Sequence, residues 1–191
     1  MAIADVRVTF LVLVSDSWLP VDDLLVDPAP IAEYLSRDRS CCAHMGGFYI
    51  ETDGRPWNNT STLDEFDRTA EWLPALTTLL RSQTEAAIHI RVWEESDLVL
   101  QRSRNLVEIE DKAISAQGLC QKVCFELDQF IPQMIREAGK FSQLMKRLHE
   151  IPNSGFIGEP ADWADGCRPG PDWDSLLDTL EHAYYEYRPI P

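Results

Sequence analysis

The stretch from Lys122 to Leu148 decides the fold of this protein, and it reads KVCFELDQFIPQMIREAGKFSQLMKRL. Its first part places apolar residues at every second position, Val123, Phe125 and Leu127, which is the period of a β-strand. The period then lengthens to that of an α-helix, in which residues three and four positions apart share a face. The apolar positions of this predicted helix are Phe130, Ile131, Met134, Ile135, Ala138, Phe141, Leu144, Met145 and Leu148. We therefore predict a strand followed directly by a long amphipathic helix.

Both ends of the predicted helix carry recognisable signals. Asp128 is a preferred N-cap residue, since its carboxylate accepts a hydrogen bond from a free backbone N–H. Ile151 is followed by Pro152, which cannot continue a helix. Gly139 lies inside the helix and destabilises it by roughly 1 kcal/mol relative to alanine. Four large side chains on one face of this helix should form the centre of the core: Phe130, Met134, Phe141 and Leu148.

Period-two patterns predict further strands on the N-terminal side of this unit. Val6–Val14 and Phe48–Thr52 are two of them, and Ile88–Val92 is a third. Leu98–Gln101 and Leu106–Asp111 predict a hairpin whose turn contains Ser103, Arg104 and Asn105. Short connections between successive strands favour antiparallel pairing.

Three more helices are predicted from start signals. A capping-box pattern begins at Thr62, so a helix should start there, and Pro74 should kink or split it. Residues 15–30 should form a loop, after which Pro30 opens a short helix. Asp172 should begin a final helix that has one apolar face.

These elements together predict the fold class. Strands outnumber helices, and strands with short connections pair with their neighbours, so we expect an α+β fold. Its sheet should be mostly antiparallel with about five to six strands and helices packed on one side. The chain of 191 residues is close to the usual size of one folding unit, so residues 1–191 are expected to form a single α+β domain.

The charge of the chain excludes some classes of partner. There are 32 acidic and 17 basic residues, and the net charge is −15 at pH 7. Such a field repels phosphate backbones and anionic lipids, so we expect no nucleic-acid binding and no membrane binding. A protein with a basic surface would be attracted, and its association accelerated. The alternative is that the charge only keeps the protein soluble.

Cysteine usage and the N-terminal segment predict a cytoplasmic protein. The five cysteines are odd in number and form no C-x-x-C pair, which favours reduced thiols over a disulfide framework. The apolar stretch Val8–Val14 follows Asp5, has no basic segment before it and no small-residue cleavage site after it. This pattern is not that of a secretory signal.

No motif predicts a metal, a cofactor or catalysis. Cys41, Cys42 and His44 form the one tight group of metal-ligand types, and a zinc ion there would also need ligands from elsewhere in the chain. Nucleophile elbows and phosphate-binding glycine loops are missing from the sequence. We therefore expect no cofactor and a protein that is not an enzyme. The alternative is an enzyme whose site combines scattered residues such as His89, Glu94 and Asp97.

Acidic residues concentrate near the C-terminus. Residues 151–191 contain eight acidic residues and two arginines, a net charge of −6. The part before the final helix is rich in proline and glycine, which predicts a loop in which Trp163 could anchor a partner. Trp173 instead fits the apolar face of the final helix and should lie in the core. The residues predicted to bind a partner are Glu159, Asp162, Trp163, Asp165, Asp172 and Asp174. A second candidate is the turn with Trp93, Glu94, Glu95 and Asp97.

The segment Ala86–Ile151 resembles a known class of proteins. It combines the strands in AAIHIRVWEESDLVLQRSRNLVEIED with a strand that ends in Phe-x-Leu and a long helix of the type FI-x-x-MI-x-E-x-x-KF. In this pattern, and in its acidity, the chain resembles small immunity proteins of bacterial polymorphic-toxin systems. The resemblance covers about a third of the chain, and it carries no functional residue over by a motif.

The resemblance implies a cytosolic protein that neutralises a toxin by covering its active site or an essential surface. The first function hypothesis is therefore an immunity protein, whose partner is a toxin domain with a basic surface. A second hypothesis is an acidic adaptor or assembly subunit with an unrelated partner. The enzyme with scattered site residues is the third. The oligomeric state is open in all three.

Overall fold

The structure is a computed structural model, and it describes residues 3–37, 45–57, 64–65, 69–82, 87–93, 96–111, 122–151 and 172–187. Within these ranges the chain forms nine strands and five helices. The strands are β1 (Val6–Val14), β2 (Ser17–Pro20), β3 (Met45–Thr52), β4 (Arg55–Pro56), β5 (Asp64–Glu65), β6 (Ala87–Trp93), β7 (Ser96–Ser103), β8 (Leu106–Asp111) and β9 (Lys122–Glu126). The helices are α1 (Val21–Val26), α2 (Ala29–Arg37), α3 (Trp72–Arg81), α4 (Leu127–Glu150) and α5 (Trp173–Glu186).

The first sheet is built around β1. Its strand order is β2-β1-β3-β4, β5 also pairs with β3, and every pairing is antiparallel. Every second residue of β1 from Val6 to Val14 is buried, as the period-two pattern predicts. Tight turns join the strands: Ser15 and Asp16 have positive φ between β1 and β2, and Asp53 and Gly54 have positive φ between β3 and β4.

The second sheet is an antiparallel meander of β6, β7, β8 and β9 in that order. The predicted hairpin of β7 and β8 is confirmed, and Ser103 pairs with Leu106 across the turn. Arg104 in this turn has a positive φ of 58°. β9 leads without a loop into α4, as the sequence of this segment predicts.

The inner face of α4 forms the centre of the core. The four residues predicted to do so, Phe130, Met134, Phe141 and Leu148, are completely buried. The ring of Phe141 stacks on that of Phe10 in β1, with 4.3 Å between the ring centroids. The long helix is thus packed against the first sheet, while its N-terminal end continues the second sheet.

Polar side chains of α4 complete the backbone hydrogen bonding of β1. β2 pairs with the last four residues of β1, so the rest of that strand edge needs other partners. Gln133 donates from Nε2 to the Val6 carbonyl at 2.8 Å, and its Oε1 accepts from the Val8 N–H at 3.0 Å. One helical turn further, Oε2 of Glu137 accepts from the Phe10 N–H at 3.2 Å. Two side chains of a helix therefore take the place of a neighbouring strand.

The α+β class is confirmed, and the strands form two sheets rather than one. β1 to β5 pair only among themselves, and so do β6 to β9, in the part of the chain that the structure describes. The two sheets meet where the Ala4 N–H donates to the Cys124 carbonyl at 3.0 Å. Strand periodicity predicts which segments form β-strands. It does not predict which strands pair, because pairing depends on residues distant in sequence.

The helix predicted from the capping box at Thr62 is wrong in its start. Asp64 and Glu65 form β5, which pairs with Met45 and Gly46 of β3, so pairing with a sheet edge prevails over the local helix signal. The helix α3 begins at Trp72 instead. Pro74 then lies in the first turn, where its missing N–H has no helical partner to lose, so it neither kinks nor splits the helix.

Two other local expectations are also wrong. Residues 15–30, expected as a loop, contain β2 and α1, because β2 folds back onto β1 through the tight turn. Asp128 does not cap α4, which starts one residue earlier with Glu126 at the N-cap position and no side-chain capping bond. The buried Leu127 donates its N–H to the Asn105 carbonyl at 2.8 Å, so the backbone of the β7–β8 turn acts as the cap.

The described helices differ from membrane-spanning ones. None of those in the described ranges combines the length and apolar character that crossing a bilayer requires. The longest of them, α4, carries charged residues on its outer face, among them Arg136, Lys146 and Arg147.

Candidate partner-binding surface

The helix α5 connects the acidic C-terminal segment to the core. It begins after Asp172, whose Oδ1 accepts a hydrogen bond from the Ser175 N–H at 3.1 Å. This is the N-cap bond that the sequence predicts, since a carboxylate satisfies one of the free N–H groups of the first turn. The cap fixes the residue at which α5 begins.

The inner face of α5 is apolar and packs against α3 and α4. Trp173 is buried, as expected from its place on the apolar face, with its ring edge-to-face on Phe141 at 4.8 Å and on Phe10 at 5.9 Å. Aromatic contacts of this kind add to the free energy of burial. The inner face consists of Trp173, Leu176, Leu177, Leu180, Ala183, Tyr184 and Tyr187.

The outer face of α5 carries an acidic row that ends in a tyrosine. We call Asp174, Asp178, Glu181 and Tyr185 the acidic row, because spacings of four, three and four residues place them on one stripe about 16 Å long. The side chain of Tyr185 is 82% exposed, although its neighbours Tyr184 and Tyr187 are packed inward. An aromatic ring presented to solvent among carboxylates is the distinctive feature of this surface.

The first carboxylate of the acidic row is held by α4. Lys146 Nζ lies 2.8 Å from Oδ2 of Asp174, and the Ser142 hydroxyl donates to Oδ1. These two hydrogen bonds stabilise the ionised form and hold the pKa of Asp174 below its ordinary value of 3.8. Because Lys146 offsets its charge, Asp174 contributes less to the field outside the protein than its neighbours do.

The other carboxylates of this surface are less compensated. Neither Asp178 nor Glu181 has an ion-pair partner within the described residues. Glu186, on the flank of the row, lies 3.2 Å from Nε2 of His182, an ion pair that exists only when the imidazole is protonated. The surface therefore presents a negative field centred on the middle of α5.

The C-terminal end of α5 is attached to the second sheet. The buried guanidinium of Arg102 in β7 lies over the ring of Tyr187, 4.7 Å from its centroid. Burial raises the pKa of the Tyr187 hydroxyl, an effect that the nearby positive charge of Arg102 opposes. Burial likewise raises the pKa of Tyr184. Both rings are thus held in a partly dehydrated layer under the helix.

Comparison with known proteins gives no family for this chain. No protein-family model, no curated protein and no solved structure matches it. Function is therefore inferred from the charges and contacts of the chain itself.

The residues predicted to bind a partner lie at and before the start of α5. Asp172 is its N-cap and Asp174 is bound to Ser142 and Lys146, so both have structural partners as well as solvent exposure. The remaining four lie outside the described residues, and their role stays a prediction: Glu159, Asp162, Trp163 and Asp165.

The second predicted surface belongs to the turn between β6 and β7. Trp93 ends β6 and pairs with Ser96, and a register shift separates this pair from that of Arg91 with Asp97. Glu94 and Glu95 lie outside the described residues, and so do the side chains of Trp93 and Asp97. The strand pairing places Trp93 and Asp97 at one end of the second sheet, and the role of all four residues stays a prediction.

The alternative sites for chemistry also stay open. Cys41, Cys42 and His44 lie outside the described residues, and the side chain of His89 on β6 does so too. Among the residues that are described, no group of three or more His, Cys, Asp and Glu side chains is placed to hold a metal ion.

The sequence reasoning missed Tyr185 and the acidic row. The signal was present, because the apolar positions of the predicted final helix include Tyr184 and Tyr187 but place Tyr185 outside that apolar face. It was masked by the run of tyrosines, in which composition alone does not distinguish a core ring from an exposed one.

Proposed function

We propose that this protein works by binding another protein, through the acidic row of α5 and the acidic segment that precedes it. The observation that carries the proposal is Tyr185, 82% exposed at the end of a stripe of carboxylates. Tyrosine is enriched among interface residues that dominate binding energy, since it buries a large rigid surface and keeps a polar hydroxyl.

The charge of the surface supports a basic partner. The net charge is −15, and two carboxylates of the acidic row, Asp178 and Glu181, have no ion-pair partner among the described residues. Long-range attraction would raise the association rate and orient a basic protein before contact. Contact with the tyrosine would then slow dissociation.

A toxin domain is the partner that we propose. The acidic composition and the strand-and-helix pattern of residues 86–151 support an immunity protein, which neutralises a toxin by covering its active site or an essential surface. In this proposal the protein acts by steric occlusion and needs no cofactor. An adaptor would bind through the same surface, but its partner would be harmless to the cell.

Cross-linking in the native host tests the proposal. A carbodiimide joins carboxylates to lysines without a spacer, so cross-linked peptides from Asp178 and Glu181 should identify a basic partner by mass spectrometry. As a control, the double variant Asp16→Asn with Asp23→Asn removes two exposed charges outside α5. This variant should leave the cross-linked product intact. Loss of the product in the control, or cross-links only to surfaces other than α5, would contradict the proposed surface.

Growth of cells separates the immunity protein from the adaptor. Expression of the cross-linked partner without this protein should arrest growth, and co-expression should restore it. A partner that is harmless when expressed alone would contradict the immunity function, while the binding surface would remain supported. A pull-down alone does not make this distinction.

A further inference from the structure

Arg102 is a buried charge in the second sheet, close to the turn between β7 and β8. It lies in β7 opposite Val107 of β8, and only 4% of its surface is exposed. A buried guanidinium without partners would be strongly destabilising, so its hydrogen bonds indicate its role. Those bonds run to two other parts of the chain.

The C-terminal end of α3 receives most of these hydrogen bonds. Nη1 of Arg102 donates to the carbonyls of Leu79 at 3.2 Å, Leu80 at 2.8 Å and Ser82 at 3.1 Å. Carbonyls at the end of a helix lack helical donors and carry partial negative charge, so a cation there is stabilising. Nε donates to the Arg104 carbonyl at 2.8 Å. These bonds fix the plane of the guanidinium.

Tyr187, at the C-terminal end of α5, covers one face of the Arg102 guanidinium. The ring centroid of Tyr187 lies 4.7 Å from Cζ of Arg102, within the range of a cation–π interaction. Tyr187 is the C-cap residue of α5, and its N–H donates to the Tyr184 carbonyl at 3.1 Å. Arg102 therefore joins β7, the end of α3 and the end of α5.

The contact between Arg102 and Tyr187 affects the orientation of Tyr185 on the other side of α5. Tyr185 and Tyr187 are two residues apart, a rotation of roughly 200° around a helix, so one ring points outward when the other points inward. We infer that Arg102 is a positioning residue for the acidic row: by holding Tyr187 inward, it fixes the last turn of α5 and keeps Tyr185 directed at the partner. This inference rests on the proposed function for the identity of the surface.

Amide hydrogen exchange of the full chain tests the inference without a partner. Tyr187→Leu removes the cation–π contact but keeps an apolar side chain, and exchange of the amides of residues 183–187 should accelerate by roughly tenfold. Tyr187→Phe keeps the ring and should retain the slow exchange. The Ser82 amide, bonded to the Thr78 carbonyl at the end of α3, should be unchanged in both variants.

The outcomes distinguish positioning from packing. Equal exchange in Tyr187→Leu and the unmodified protein would overturn the inference, and so would equal acceleration in Tyr187→Leu and Tyr187→Phe. Tyr187→Met is a second apolar variant if Tyr187→Leu does not fold, as judged by circular dichroism. With the partner recovered by cross-linking, Tyr187→Leu should bind about threefold or more weakly, while Tyr187→Phe should bind normally. A partner that contacts another surface contradicts the proposed function and leaves the exchange result valid.

Discussion

Oε2 of Glu137 accepts a hydrogen bond from the backbone N–H of Phe10 at 3.2 Å, across 127 residues of sequence. The carboxylate is 2% exposed, and its Oε1 lies 2.8 Å from Nζ of Lys140 and 3.1 Å from Nε of Arg136. Lys140 in turn reaches Asp22 of α1 at 2.7 Å. Glu137 therefore connects the part of the β1 edge that β2 does not cover to a short chain of charges on α4 and α1.

Replacement of Glu137 tests the importance of this connection. Glu137→Ala leaves the Phe10 N–H and the Lys140 ammonium without their buried acceptor, so the free energy of unfolding should fall by about 3 kcal/mol. Glu137→Gln keeps an acceptor for Phe10 but loses the charge, and should cost about 1 kcal/mol. Urea denaturation measures both. The control Glu150→Ala, on the exposed end of the same helix, should change stability by about 0.5 kcal/mol or less. Equal losses for alanine and glutamine would contradict the backbone role.

Removal of the Phe141 ring should destabilise the core. Its ring contacts those of Phe10 and Trp173, so it joins β1, α4 and α5. Phe141→Ala should lower the free energy of unfolding by about 3–5 kcal/mol, since the side chain is fully buried. Phe141→Leu retains much of the volume and should cost about 1–2 kcal/mol. A loss under about 1 kcal/mol for the alanine variant, measured by chemical denaturation, would be incompatible with this packing.

Gly139 offers a change in the opposite direction. A Cβ at this position would lie 3.6 Å from Cδ2 of Leu177 in α5, an ordinary van der Waals distance. Alanine is the better helix former, so Gly139→Ala should raise the free energy of unfolding by about 1 kcal/mol. Thermal unfolding followed by circular dichroism measures the change. Gly139→Val, which adds two methyl groups toward α5, serves as the contrasting variant and should lose this gain. A destabilising alanine would contradict the 3.6 Å separation between this Cβ position and Leu177.

The ion pair of Asp174 and Lys146 should stabilise the protein at neutral pH and lose this effect in strong acid. The pKa of Asp174 is lowered in the folded protein, so its contribution is present above the ordinary value of 3.8 and is lost as the pH falls through the lowered pKa. About half of the carboxylate is exposed, so the contribution should be at most about 1 kcal/mol and should shrink with salt. The stability difference between Asp174→Asn and the unmodified protein, measured from pH 7 down to the acid limit, should vanish at low pH. A difference that stays constant with pH would show that the ionised form has no special role.

Binding kinetics should separate the carboxylates from the tyrosine. Asp178→Asn with Glu181→Gln should slow association at low salt and flatten its dependence on ionic strength, because these charges act at long range. Tyr185→Ala should instead speed dissociation, with a loss of about 2 kcal/mol or more in binding free energy. Surface plasmon resonance at two salt concentrations, with the partner identified by cross-linking, measures both rates.

Trp163 provides the comparison for this experiment. Trp163→Ala should also speed dissociation if the acidic segment before α5 shares the interface. Val26→Ala, at another exposed apolar side chain, is the control and should bind normally. Unchanged kinetics in Tyr185→Ala, with a normal circular dichroism spectrum, would move the interface away from α5; the turn with Trp93 and Asp97 would then be the next surface to test.

The sequence by itself determined the elements whose burial follows a local period. Residues close together in the chain determine four features: the inner face of α4, the alternation along β1, the β7–β8 hairpin and the inner face of α5. The reason is that a helix or strand repeats its side-chain orientation at a fixed spacing. The same reasoning places Trp173 in the core and Asp172 at a helix start.

Only the tertiary structure decided what these elements pair with. Groups far apart in sequence determine three features: the separation into two sheets, the short strand at Asp64, and the cap of α4 by the Asn105 carbonyl. The same is true of Glu137 under β1 and of Arg102 between α3 and α5. Buried polar groups must find partners wherever the folded chain offers them, and sequence periodicity reports only that a residue is buried, not which residue it meets.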